Sequence, residues 1–186
     1  FFSRGLPVKI QVLNIPPEGI RLTFEKTADW FSEKMKDAGP RDFFVHGILA
    51  RFTVTKRGRV VFVEGRLEAG IELPCSRCMK PLTRDLDADF RYTYLPADKM
   101  PREAETEIAE EDVGVAFYED TVDLGEIVLE QIVLGIPMKP LCGETCKGLC
   151  PYCGNDLNVA DCGHEQKAMA SPFSVLKDYA VKKNKR

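Results

Sequence analysis

The stretch that decides the fold is VFVEGRLEAGIELPCSRCMKPLTRDLDADFRYTY, residues 61–94. Apolar residues and glycine fill the odd positions from 61 to 73, and mostly apolar residues fill the even positions from 82 to 94. Polar residues, most of them charged, occupy most of the positions between. Alternation over this length predicts two long antiparallel strands, each with one buried face and one wet face. The stretch therefore predicts a hairpin whose turn carries two cysteines, Cys75 and Cys78.

A third strand precedes this hairpin. Apolar residues fall on alternate positions from 44 to 54, and KRGR at 56–59 then turns the chain. Three consecutive strands with short connections predict an antiparallel meander. On this pattern His46 lies on the apolar face of its strand. We therefore expect it to be a hydrogen-bonded core histidine and not a ligand.

Shorter elements flank the meander. VKIQVLN (8–14) and IRLTFEK (20–26) predict two short strands, and GVAFYEDTVDL (114–124) predicts one more. A short N-terminal helix is expected after the second strand, with Thr27 as its N-cap. SPFSVLKDYAVKKNKR (171–186) predicts a short C-terminal helix that ends in a basic tail.

One longer helix is predicted over LGEIVLEQIVLGIP, residues 124–137. Asp123 and Glu126 are suitable for a capping box at its start, and Gly135 and Pro137 end it. Very few residues in its body are polar. We therefore expect this helix to be buried on most of its circumference.

The segment LCGETCKGLCPYCGNDLNVADCGH, residues 141–164, holds five of the seven cysteines and one of the two histidines. A secreted disulfide framework would have an even number of cysteines, spread through the chain. Here they crowd into C-x2-C and C-x3-C spacings. In a reducing compartment, such paired spacings indicate metal or redox chemistry.

The cysteines and one histidine divide into two sets of four, which suits two tetrahedral zinc sites. A C-x2-C pair in a hairpin turn forms a zinc knuckle, but two ligands do not close a site. Our preferred division pairs each knuckle with the ligands that complete it. The first set is Cys75, Cys78, Cys142 and Cys146, and the second is Cys150, Cys153, Cys162 and His164.

Two alternatives remain open at this point. One zinc ion per chain would bind if only the C-terminal cluster formed a site, leaving the upstream pair as reduced thiols. A thioredoxin-like redox role for Cys75 and Cys78 is the other alternative. That chemistry favours a cysteine at a helix N-terminus after a strand, whereas this pair lies between two strands.

Together these patterns predict an α+β fold. Its expected parts are a mainly antiparallel meander sheet with one long buried helix, short N- and C-terminal helices, and a C-terminal zinc-binding segment. Residues 97–112 are acidic and lack periodicity, so we expect an exposed loop there. We expect residues 1–140 to form the sheet domain. Residues 141–186 should form a zinc segment with the terminal helix and basic tail, docked on that domain.

The composition excludes several classes of protein. Hydrophobic residues make up 44% and charged residues 30% of the 186, as in globular proteins. The formal net charge of −3 gives the whole molecule no attraction for phosphate backbones. No apolar run approaches the roughly 18 residues of a membrane span, and no signal segment opens the chain. We therefore expect a cytoplasmic protein without a membrane partner.

An enzyme is not expected. Closed four-ligand zinc sites leave no position for water or substrate, so they stabilise and do not catalyse. Two histidines are all the chain has, and neither a Ser–His–Asp candidate nor a phosphate-binding glycine loop is present. We expect no small-molecule substrate.

The chain resembles the YceD family of bacterial proteins. The resemblance covers roughly residues 10–180 in the order of elements, and four motifs carry it: PCSRCMKPL (74–82), GIPMKPLC (135–142), CKGLCPYCGNDLN (146–158) and SPFSVLKDY (171–179). It implies a role in the accumulation of large-subunit ribosomal RNA, and hence in ribosome assembly. Many members carry C-x-C where this chain has CGH, so His164 takes the place of a cysteine.

Two kinds of partner fit this role. In the first hypothesis, the protein is an assembly factor whose acidic loop or exposed sheet face binds a basic ribosomal protein or a pre-ribosomal particle. In the second, it binds ribosomal RNA directly through basic residues of the tail, namely Lys177, Lys182, Lys183, Lys185 and Arg186. The acidic net charge favours the first hypothesis.

Overall fold

The computed structural model describes residues 9–38, 41–100 and 114–164. Within these ranges the chain has a mixed α+β fold with seven strands and two α-helices. The strands are β1 (Lys9–Gln11), β2 (Ile20–Thr27), β3 (Phe44–Arg57), β4 (Val60–Pro74), β5 (Pro81–Pro96), β6 (Val115–Tyr118) and β7 (Thr121–Asp123). The helices are α1 (Ala28–Lys34) and α2 (Leu124–Gly135).

The hairpin of β4 and β5 is the centre of the fold. Its antiparallel register runs from the pair Val61 and Tyr94 to the pair Pro74 and Pro81. β3 pairs with the other side of β4, and β2 pairs with β3, also antiparallel. The predicted meander is therefore confirmed, and β2 extends it to four strands. β6 lies within the predicted strand 114–124 and adds a fifth strand to the sheet, but its parallel pairing with β5 was not predicted.

As predicted, the alternation along β4 gives the strand one buried face and one solvent-exposed face. Every odd position from 61 to 73 is buried except Gly65, which is half-buried. Val61, Val63 and Leu67 are completely buried. Burial of a side chain of this size is worth about 1.5–3 kcal/mol. The wet face instead carries cross-strand ion pairs, such as Arg91 Nε with Glu64 Oε1 at 2.9 Å.

The prediction for His46 was wrong. A β-bulge between Val45 and Gly47 shifts the register of β3 against β4. The bulge adds one residue, so the side chains before it change faces. His46 is therefore exposed, with its Nε2 3.3 Å from Glu72 Oε2, while Phe44 is 68% exposed.

The expectation of one long buried helix was also wrong. α2 has 12 residues, about three turns, and buries only one side. Leu124, Ile127 and Ile132 are buried, whereas Leu134 is 68% exposed. The helix packs against β4 and β5 of the large sheet and β1 of the small one, and its apolar composition does not decide how much of it these strands cover. Its predicted start is correct, because the Asp123 side chain accepts a hydrogen bond from the backbone N–H of Gly125 at 2.9 Å.

The segment before α2 forms two strands, not the single one predicted. β6 and β7 are separated by a bend, and each pairs with a different sheet. β7 pairs antiparallel with β1, with Ile10 opposite Val122. This small sheet ties the beginning of the described chain to the start of α2.

Some predicted elements lie outside the described residues. They are the part of the acidic loop 97–112 beyond residue 100, the C-terminal helix and the basic tail. Ala97–Lys99, at the start of that loop, form a short 3-10 helix. In the part of the chain that the structure describes, no helix is long and apolar enough to cross a membrane.

Gly65 is expected to be essential for the packing of the sheet, because a Cβ there would overlap the carbonyl oxygen of Arg51 and lie 2.5 Å from Phe90 Cζ. We expect Gly65→Ala to lower the free energy of unfolding by about 1–3 kcal/mol, the usual cost of overpacking. The matched control is Gly70→Ala in the same strand, where the nearest atom is His46 Cβ at 3.8 Å. Urea unfolding of both variants checks this, and equal stabilities would contradict it.

Candidate metal centres

The turn between β4 and β5 brings two thiols together. The backbone N–H of Cys75 donates to the Lys80 carbonyl at 2.8 Å, and the N–H of Met79 donates to the Cys75 carbonyl at 2.9 Å. Met79 closes the turn in the left-handed region, with φ of 61°. Cys75 and Cys78 are both buried. This turn has the form expected of a zinc knuckle.

The chain after α2 returns to this turn and supplies two further cysteines. The N–H of Ser76 donates to the Pro140 carbonyl at 2.8 Å, and Arg77 Nη1 donates to the Cys146 carbonyl at 2.7 Å. Cys75 Sγ lies 3.9 Å from Cys146 Sγ, and Cys78 Sγ lies 3.6 Å from Cys142 Sγ. All four sulfurs lie within 4.8 Å of one another. We call these four residues the first cluster.

The thiols of the first cluster differ in their affinity for protons. Backbone N–H groups, first that of Cys78 and then those of Arg77 and Cys142, lower the pKa of Cys75 to about 6. The neighbouring Cys146 thiol, followed by the Cys78 thiol, raises the pKa of Cys142 to about 12. Amides thus stabilise negative charge at one sulfur, while crowding opposes it at another. A divalent cation among the four would remove this opposition, because it attracts every thiolate.

A second hairpin follows directly. Leu149 and Asp156 form an antiparallel bridge, and the N–H of Cys150 donates to the Asn155 carbonyl at 2.8 Å. Gly154 makes the turn with φ of 76°, and its N–H donates to the Cys150 carbonyl at 2.9 Å. We call residues 148–158 the second hairpin. Its turn is another knuckle, and it places Cys153 next to Cys150.

Cys162 and His164 complete a second set of four. His164 Nδ1 lies 3.4 Å from Cys162 Sγ, and the His164 ring stacks on the Tyr152 ring with centroids 5.9 Å apart. The four ligand atoms of Cys150, Cys153, Cys162 and His164 lie within 4.8 Å of one another. We call them the second cluster. Cys150 is buried, but Cys153 and His164 are exposed, so this cluster is more open to solvent than the first.

Both clusters have the donors that a tetrahedral metal ion requires. Four sulfurs, or three sulfurs and an imidazole nitrogen, are soft ligands typical of structural zinc. The S–S distances of 3.6 and 3.9 Å in the first cluster are far from the roughly 2.05 Å of a disulfide bond. The structure therefore brings together the same two sets of four that the sequence suggests, and each set could hold a metal ion. Metal binding by these residues remains a prediction.

Sequence analysis missed the side chains that support the ligands. Arg77 holds the Cys146 carbonyl, and Asn158 Nδ2 donates to Cys146 Sγ at 3.4 Å. Lys80 Nζ lies 2.7 Å from Asp156 Oδ2 and joins the first turn to the second hairpin. Lys80, followed by the backbone N–H of Asn158, lowers the pKa of Asp156 to about 2. These residues have no characteristic spacing, so only the folded chain reveals them.

The basic residues proposed for RNA contact lie outside the described residues. They are Lys177, Lys182, Lys183, Lys185 and Arg186. Their role therefore stays a prediction from the sequence alone.

Comparison with known protein families shows which family this chain belongs to. Residues 63–179 match the family model described as large ribosomal RNA subunit accumulation protein YceD. The match begins in β4 and includes β5, α2 and both cysteine clusters. The chain belongs to the YceD family.

Several curated proteins are similar to this YceD chain. An uncharacterized protein of Mycobacterium tuberculosis is 29% identical over 116 residues, which cover 62% of this chain and 54% of the relative. One from Mycobacterium leprae is 27% identical over 118 residues, covering 63% and 52%. The maize large ribosomal RNA subunit accumulation protein YCED homolog 1, chloroplastic, is 25% identical over 145 residues, covering 60% and 46%.

The chain spans about half the length of the curated relatives it matches. No solved structure matches the chain.

The purified protein is expected to contain about two zinc ions per chain, because each cluster offers four ligands. Cys78→Ser and Cys153→Ser should each reduce the content to about one, whereas Ser76→Ala should leave it unchanged. Elemental analysis of protein prepared without chelator measures this. Hydrogen exchange should also show faster exchange of the Ser76 amide in Cys78→Ser than in Cys153→Ser, because that amide bonds to the Pro140 carbonyl across the first cluster. A metal-free wild-type protein would refute the assignment.

Proposed function

We propose that this YceD chain is a non-catalytic, zinc-stabilised factor in the accumulation of large-subunit ribosomal RNA. It acts in the cytoplasm by binding a ribosomal protein or a pre-ribosomal particle. The observation that carries this proposal is the family match over the central hairpin, α2 and both clusters. The description of the family and the name of the maize relative both specify large ribosomal RNA subunit accumulation.

The proposed zinc ions are structural. Cys75 and Cys78 lie at the end of the main sheet, while Cys142 and Cys146 lie about 65 residues further along the chain. A metal shared among them would fasten the segment after α2 to the sheet. All four positions of each ion would be filled by protein, so no site would remain for water or substrate. This arrangement supports a binding role over a catalytic one.

The geometry also favours zinc over thiol redox chemistry. Cys75 and Cys78 lie in a turn between strands and face two further cysteines. A thioredoxin-like pair instead uses a helix N-terminus to lower the pKa of one thiol.

The exposed face of the sheet supports a basic partner. On the β4 and β5 part of this face, acidic side chains outnumber basic ones. The acidic residues are Glu64, Glu68, Glu72, Asp85, Asp87 and Asp89, and the basic residues are Arg66 and Arg91. Cross-strand ion pairs with Arg51, Arg66 and Arg91 offset part of this charge. The acidic surplus that remains attracts cations and repels phosphate backbones. We therefore favour a basic ribosomal protein over RNA as the direct partner.

Loss of the gene is expected to lower mature large-subunit ribosomal RNA relative to small-subunit RNA. The wild-type gene and Ser76→Ala should restore the ratio, whereas Cys75→Ser combined with Cys150→Ser should not, because both clusters lose a buried ligand. Quantitative electrophoresis of total RNA measures the ratio. An unchanged ratio in cells without the gene would show that the proposed role is wrong.

Replacing the acidic row on β5 tests the partner. We expect Asp85→Asn, Asp87→Asn and Asp89→Asn together to weaken binding to proteins extracted from large subunits by about 3-fold to 100-fold. The control removes the same charge outside the strands, with Glu33→Gln, Asp37→Asn and Glu119→Gln. Binding is measured by affinity capture at several salt concentrations, since surface charge pairing weakens with salt.

The same experiment with a large-subunit ribosomal RNA transcript distinguishes the alternative. Direct RNA binding through the tail predicts that deletion of residues 181–186 flattens the log–log salt dependence by about 0.7–0.9 for each phosphate that the tail no longer neutralises. Binding of RNA but of no ribosomal protein would contradict the protein-partner proposal.

A further inference from the structure

Asn158 connects the second hairpin to the first cluster through its side chain. Its Nδ2 donates to Cys146 Sγ at 3.4 Å, and its Oδ1 accepts from the backbone N–H of Lys147 at 2.7 Å. Cys146 belongs to the first cluster, whereas Asn158 ends the second hairpin. One amide side chain thus contacts a ligand of the first cluster and the backbone next to it.

The position of Asn158 is fixed from within the second hairpin. Asp156 Oδ1 accepts from the backbone N–H of Asn158 at 2.9 Å and from its Nδ2 at 2.6 Å. The other oxygen of Asp156 lies 2.7 Å from Lys80 Nζ, in the turn of the first cluster. Asn158 therefore reaches Cys146 only while Asp156 keeps its place between the two turns.

The second hairpin depends in turn on its own knuckle. Cys150 and Cys153 lie in its turn, and among the described residues the only β pairing around that turn is the bridge between Leu149 and Asp156. The N–H of Leu157 donates to the Gly148 carbonyl at 2.9 Å, and the N–H of Leu149 donates to the Arg77 carbonyl at 3.0 Å. So small a hairpin has little apolar core, and a metal ion in its turn would supply much of its order.

A donor to Cys146 matters because of the charge that the first cluster would carry. Four thiolates around a divalent cation leave a net charge of about −2, whereas three thiolates and a neutral imidazole leave about −1. An N–H donor to a ligand sulfur offsets part of that charge and fixes the direction of the ligand. The first cluster therefore gains more from such a donor than the second would.

We propose that the two clusters bind metal cooperatively and that Asn158 couples them. Metal in the second cluster orders the second hairpin, which holds Asn158 against Cys146 and raises the metal affinity of the first cluster. Coupling is reciprocal, so metal in the first cluster raises the affinity of the second by the same factor. This inference rests on the metal binding proposed above.

The test uses the full chain, freed of metal and titrated with Zn²⁺ against a chromophoric chelator. A parallel titration with Co²⁺ separates the clusters, because four-thiolate and three-thiolate sites differ in their visible absorption. Asn158→Ala is expected to lower the affinity of the first cluster by about 10-fold to 100-fold, the usual effect of removing a residue that supports a ligand. The matched control is Asn155→Ala, an exposed asparagine of the same hairpin, which should leave that affinity unchanged.

A double-mutant cycle then tests the coupling itself. In the wild-type background, Cys153→Ser should lower the metal affinity of the first cluster. In the Asn158→Ala background it should cause no additional loss, because the contact between Asn158 and Cys146 is already absent. Equal effects in both backgrounds would overturn the proposal, as would equal affinities for Asn158→Ala and Asn155→Ala.

Asp156→Asn provides a second measurement with all eight ligands in place. Like Asn158→Ala, it should lower the metal affinity of the first cluster, because it removes the negative charge that pairs with Lys80. An unchanged affinity would overturn the coupling even if Cys153→Ser did not fold. If two ions bind but do so independently, the coupling is refuted while the proposed zinc sites stand. A wild-type chain that bound no metal would refute the proposed zinc sites as well.

Discussion

The structure depends on two thiols that the chain must place side by side at the end of a long hairpin. The ladder between β4 and β5 runs to the pair Pro74 and Pro81, and the turn beyond it holds Cys75 and Cys78 in a buried position. Two thiols do not complete a tetrahedral site. The chain after α2 returns to this turn with two further cysteines, and its hydrogen bonds with Ser76 and Arg77 hold it there. The second hairpin is then built on that returning segment.

The parts of the fold that follow from local pattern could be predicted from the sequence. Period-2 alternation indicated β3, β4 and β5 because one face of each is dry, and cysteine spacing indicated both sets of four ligands. The errors arose where contacts between residues distant in the sequence determine which side chains are buried. A one-residue bulge moved His46 to the surface, and the extent of the neighbouring layer left Leu134 exposed. Asn158 could not be assigned, because its contact with Cys146 exists only after the second hairpin has closed.

The two clusters differ in a way that bears on their use. The first is mostly buried between the sheet and the returning segment, whereas Cys153 and His164 of the second face solvent. Solvent-exposed thiolates exchange metal and react more readily than buried ones. A metal ion held by the second cluster would therefore be more open to solvent than one held by the first. The match to the YceD family model covers the residues of both clusters.

β5 is much longer than β6, its neighbour on the outer side of the sheet. β6 pairs only with residues 93–96, and among the described strands none lies along the outer side of residues 81–92. A strand edge without a neighbouring strand can act as a template on which a second copy extends the sheet. Asp85, Asp87 and Asp89 stand in a row on this strand, and two such edges brought together would set like charges against each other. The part of this charge that Arg66 does not neutralise works against edge-to-edge pairing of two copies.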